Sequence, residues 1–94
     1  MTEQEITTLL AALKIDLGIT ATAYDERLTQ ILEAAENAIT KEGVTLDLSQ
    51  LDHMQTVIMY SSWLWKRRET GTGMPKMVRY QVNNLIFHQH NEDK

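Results

Sequence analysis

The chain has 94 residues, no cysteine, and nine cations against thirteen acids, for a net charge of −4. A chain of this size makes one domain that buries only roughly 60–65% of its surface, so self-association is a common supplement. The missing thiols exclude disulfides and thiolate metal sites, and net acidity argues against nonspecific nucleic-acid binding.

A first helix is predicted from Glu3 to about Leu17. Thr2 and Glu5 have capping-box spacing, in which hydroxyl and carboxylate each satisfy a free backbone N–H. Ile6, Leu9, Leu10, Leu13 and Leu17 fall on one side, and Gly18 ends the helix as a residue that tolerates positive φ. A second helix is predicted from Thr22 to Gly43. Tyr24, Leu28, Ile31, Leu32, Ala35, Ala38 and Ile39 form its stripe, while Glu26, Glu33, Glu36 and Asn37 face away. Residues 44–48 alternate too briefly to decide between a strand and a loop.

A third helix is predicted from a cap at Asp47 or Ser49 to about Arg68. Its broad apolar side holds Leu51, Met54, Val57, Ile58, Leu64 and Trp65. Met59 and Trp63 lie off that side, and a helix apolar nearly all round is usually buried on more than one side. Gly71 and Gly73 then break the chain. The fourth helix opens at Pro75, whose missing N–H is not needed there. Met77, Val78, Val82, Leu85 and Ile86 make its core stripe, Tyr80 and Phe87 share another face, and residues 89–94 read as a frayed tail. The expected fold is all-α: a single domain of about four helices over residues 1–94, the last one free to adapt about the glycine break. No run approaches the ~18 apolar residues of a membrane span, and a soluble intracellular protein is expected.

Chemistry is sparse. His88 and His90 are two residues apart and point to different sides of a helix, and His53 reads as a lone surface histidine. Three or four converging ligands are needed to hold zinc or iron, so no metal is expected. Glu33 and Glu36 read as a solvated face. Gly71 and Gly73 lack the lysine and the strand–loop–helix setting of a phosphate loop. Neither a cofactor nor enzyme activity is expected.

Charge is divided unevenly. Residues 1–52 hold ten acids and three bases, whereas residues 53–94 hold three acids and six bases. Unlike ends suit contacts between copies. Lys66, Arg67, Arg68, Lys76 and Arg79 place five cations within a short stretch, which fits a helix C-terminus, a protein partner or DNA phosphates. Trp, Tyr and Arg typify interface anchors. The candidate interface residues are therefore Met59, Trp63, Arg67, Arg68, Lys76, Arg79, Tyr80 and Phe87, with Trp65 assigned to packing.

Leu13-Lys14-Ile15-Asp16-Leu17-Gly18-Ile19, Asp25-Glu26-Arg27-Leu28 and the run from Ile31 to Ile39 resemble the opening of phage head-tail connector proteins. These are the head-completion or DNA-packaging adaptors of long-tailed phages and prophages. The run from Met74 to Tyr80, with Val82-Asn83-Asn84-Leu85-Ile86, is similar to their closing helix. The resemblance spans roughly residues 9–88, and residues 44–48 match nothing in it. It implies a virion protein made in the bacterial host cytoplasm. Copies would form a ring of about a dozen beneath the portal, as heterologous contacts can. The ring would extend the DNA channel and carry a stopper or tail-completion protein. A terminal helix would engage the portal, and DNA would be passing cargo; the overall acidity of the chain suits a channel that lets DNA slide. The alternative is a small helical DNA-binding regulator, its last two helices forming a helix-turn-helix with Arg79 and Asn83 reading bases.

Overall fold

Local signals set the first element. In the computed structural model, which describes the backbone of residues 1–66 and 75–92 and side chains through Gln89, α1 spans Glu3–Leu17. The Glu5 amide donates to Thr2 Oγ1 at 3.1 Å, and the Thr2 amide donates to Glu5 Oε1 at 2.9 Å, completing the capping box. At the other end Gly18 has φ 71°. Its amide donates to the Ile15 carbonyl, and the Ile19 amide donates to that of Lys14. This is the left-handed cap for which glycine carries no Cβ penalty.

A single 3-10 turn, Thr22–Tyr24, leads into α2, Asp25–Lys41. The α-helix thus starts three residues later than its sequence suggests. Tyr24 is 48% exposed and lies edge-on to the Trp65 ring with centroids 5.6 Å apart, so it leaves the core stripe. The rest of the stripe holds: Leu28, Ile31, Leu32, Ala35 and Ile39 are buried. Lys14 Nζ donates to Asp25 Oδ1 at 2.8 Å and ties α1 to the head of α2.

Residues 44–48 form no strand. Val44 and Leu48 are buried from a loop that three hydrogen bonds tether. The Asp47 amide donates to His53 Nδ1 at 2.9 Å. The Thr45 amide donates to Gln89 Oε1, and Gln89 Nε2 donates back to the Thr45 carbonyl. Because His53 Nδ1 accepts from an amide, it carries no proton in this arrangement. His53 is 4% exposed, which corrects its reading as a surface residue. Gln89 likewise belongs to an anchored helix: α4 runs Lys76–Glu92, where a frayed tail was expected from residue 89.

The third helix, α3 (Leu51–Lys66), packs against α1, α2 and α4. That central place explains its apolar circumference and also rotates its buried side. His53, Thr56, Val57, Tyr60, Ser61 and Ser62 are buried, while Leu51, expected in the core, is 68% exposed. Leu51 opens the helix, beyond the reach of its neighbours. The small Ser61 is fully buried and its hydroxyl meets no hydrogen-bond partner among the described residues, an arrangement that costs free energy where it stands. In α4 the core stripe is Val78, Val82 and Leu85, with Ile86 half-buried. Met77 turns outward, 67% exposed, against its expected core position.

The fold is therefore all-α, with four helices among the described residues and one hydrophobic cluster to which each contributes. No single described helix is long and apolar enough to cross a membrane. Gly71, Gly73, Arg67 and Arg68 lie outside the described residues.

Candidate assembly surface

Helix α4 is apolar on two opposed faces. Its inner face supplies Val78, Val82 and Leu85 to the core. Its outer face presents Met77, Tyr80 and Phe87, which are 67%, 70% and 63% exposed. With Asn84 these residues follow one another three, four and three positions apart, the spacing that keeps side chains in one line along a helix. An exposed line of large apolar residues is the usual mark of a contact surface rather than of a free monomer. From Pro75 to Asn91 the sequence holds no carboxylate.

The sequence-predicted interface residues divide into three groups. Tyr80, Phe87 and the exposed Lys76 lie on the outer side of α4 as expected. Arg67 and Arg68 are outside the described residues. Met59, Trp63 and Arg79 are less free than expected. Met59 and Trp63 are half-buried against the core, and the Trp63 ring stacks on Tyr60 at 5.9 Å with an interplanar angle of 29°. They fall off the stripe drawn for α3 because that stripe was rotated from the true buried side. Trp63→Ala is accordingly expected to lower folding stability by about 1–3 kcal/mol, from lost burial and ring contact. Urea denaturation followed by the remaining tryptophan checks it.

Arg79 is engaged within the chain. Its two terminal nitrogens donate to the two Glu42 carboxylate oxygens at 2.8 and 3.0 Å, a bidentate pair between α4 and the end of α2. That hydrogen bonding holds the Glu42 carboxyl below its ordinary range and raises Arg79 in turn. Asp47 is also lowered, first by the Ser49 hydroxyl, then by the Gln50 amide and the Ser49 backbone. Both carboxylates favour the folded state when ionised. Their contribution is therefore complete above the carboxylate pKa of the unfolded chain and is lost as pH falls through the lower folded value. The urea midpoint is expected to fall on acidification through the carboxylate range, and Glu42→Gln should flatten that decline.

On the other side of α3, the seam with α1 is open. One depression of about 310 Å³ is lined by Thr8, Leu9 and Met54 among others. A second, of about 300 Å³, is lined by Asp16, Gln55, Ile58, Met59 and Ser62. The exposed Asp16 borders this strip. A third hollow, of about 260 Å³, lies where Asp47, Asp52, His53, His88 and Gln89 approach one another. His53 Nδ1 is already used by the Asp47 amide, and no group of three metal-binding side chains occurs among the described residues.

Sequence reasoning missed Met77 and the α1–α3 seam. The signal for Met77 was present in its spacing from Tyr80, Asn84 and Phe87. The seam had none, because it depends on how two helices pack. Compared with known protein families, with curated proteins and with solved structures, the chain matches none.

Proposed function

We propose that this chain is a structural head-tail adaptor of a long-tailed phage or prophage, acting by assembly and performing no chemistry. Copies form a ring beneath the portal, extend the DNA channel, and offer a surface to a stopper or tail-completion protein. Its place is the neck of the virion. The observation that carries this reading is the outward line Met77–Tyr80–Phe87 on a helix whose opposite face is already committed to the core. A fold so small, with that much apolar surface left over, gains stability by covering it. The uneven charge of its two halves suits contacts between unlike surfaces, and such contacts close into rings when the rotation permits. The resemblance of residues 13–39 and 74–86 to head-tail connectors supports the particular assembly.

The experiment is light scattering and negative-stain imaging of the protein alone and mixed with a candidate portal ring. Rings, or a stoichiometric portal complex, support the adaptor. A monomer that ignores the portal at every salt concentration, and instead binds duplex DNA with a steep salt slope, would establish the regulator. The engagement of Arg79 by Glu42 counts against that alternative, since it occupies the guanidinium meant to read a base.

A further inference from the structure

We infer that the outer face of α4 in one copy docks into the α1–α3 seam of the next, rather than onto the portal; this rests on the ring reading above. The knobs and the hollows match in spacing. Tyr80 and Phe87 are seven residues apart, which at the helical rise places them ~10 Å apart along α4. On α1 the first depression is lined by Gln4, Glu5, Thr8 and Leu9 and the second by Asp16, so their nearest lining residues, Leu9 and Asp16, stand ~10 Å apart by the same rise; on α3 Met54 lines the first and Ile58 and Met59 the second, ~6–8 Å further along. Each hollow can therefore receive one aromatic ring at the same time.

Charge sets the direction. Lys76 stands one residue before Met77, at the Tyr80 end of the line, and Asp16 stands at one hollow; Glu5 lines the other, but its Oε1 is already taken by the Thr2 amide in the capping box. Pairing them puts Tyr80 over Asp16, Ile58 and Met59, and Phe87 over Thr8, Leu9 and Met54. Helix α4 then runs antiparallel to both helices of the seam.

The competing arrangement is a symmetric pair of α4 helices. It would set two carboxylate-free, cation-bearing faces against each other. The apolar line is also shorter than two heptads, too short for a coiled coil to hold by itself. The seam offers both the apolar hollows and the opposite charge. Because knob and hollow lie on different surfaces, the contact leaves one of each free and propagates from copy to copy.

The absence of cysteine makes the test direct. Asn84→Cys places a thiol in the middle of the knob line, and Gln55→Cys places one at the seam. Both positions are exposed, and circular dichroism verifies that the variants fold. With a short bismaleimide at high protein concentration, the double variant is expected to give a ladder of dimers, trimers and higher species on a denaturing gel. An equal mixture of the two single variants should stop at dimers, and neither single variant should cross-link alone. Lys76→Glu should lower the yield several-fold, and Asp16→Lys on the neighbouring copy should restore it.

Dimers from Asn84→Cys alone would overturn the proposal in favour of the symmetric pair. So would equal coupling to Glu33→Cys, which is exposed on α2. No cross-link in a sample that scatters light as a ring would overturn this pairing and leave the ring standing. No cross-link in a chain that stays monomeric with the portal present would remove both.

Discussion

A protein carrying Tyr80→Ser and Phe87→Ser together is expected to keep its melting temperature and to lose assembly. Both rings are mostly exposed, and substitutions at such positions usually move stability by less than about 0.5 kcal/mol. In an interface they would be central anchors. Truncating such an aromatic typically costs about 2 kcal/mol of binding, so the pair corresponds to a loss of roughly a hundred- to a thousandfold in affinity. Sedimentation of the wild type and the double variant, alone and with the portal ring, separates the two effects. A variant that melts early would place these rings in the fold. A variant that assembles normally would leave the outer face of α4 without a role.

The second large effect lies in the core. Leu32 is fully buried at the centre of the α2 stripe, so Leu32→Ala leaves a cavity among helices that cannot all close around it. The expected loss is about 2–5 kcal/mol. Small domains are held by only about 5–15 kcal/mol in total. In a chain of this size the change would lower the melting temperature by roughly 10–30 °C. Calorimetry measures it, with the exposed Glu33→Ala on the same helix as the control. A drop within the error of that control would mean that this face of α2 does not pack.

These two positions show what was readable in the chain. Leu32 was legible because an amphipathic helix carries its own record of which side is buried, and the α2 stripe is regular from Leu28 to Ile39, about three turns. The Thr2–Glu5 cap and the Gly18 stop were legible for the same reason: each depends on atoms within a few residues. Tyr80 and Phe87 were legible as a face distinct from the core stripe.

Features set by helices far apart in sequence were not. Arg79 looked like a free cation, but its partner Glu42 lies 37 positions away and meets it only once α4 packs. His53 looked like a surface residue because the loop that covers it arrives from outside α3. On α3 the apolar side chains extend nearly all round, so periodicity could not pick the buried side. Three helices choose it, and they take His53, Thr56, Tyr60 and Ser61 inward while leaving Leu51 out. Met59 and Trp63 were assigned outward by the same ambiguity. Four tightly packed helices around one small core leave few positions whose neighbours are all local.

The α1–α3 seam illustrates the limit most clearly. Its hollows are made by Leu9 and Met54, and by Asp16 and Ile58, residues about forty positions apart in the chain. Nothing in either segment read alone marks a cleft. Once the helices are side by side, Glu5 and Asp16 border the hollows between α1 and α3.

The measurement that tests the adaptor most directly is native mass spectrometry of the chain mixed with a candidate portal ring, counting copies bound per ring. A fixed stoichiometry, reached cooperatively and abolished by Tyr80→Ser with Phe87→Ser, is the predicted result. Folded wild-type chains that leave the portal bare at every protein concentration would contradict it.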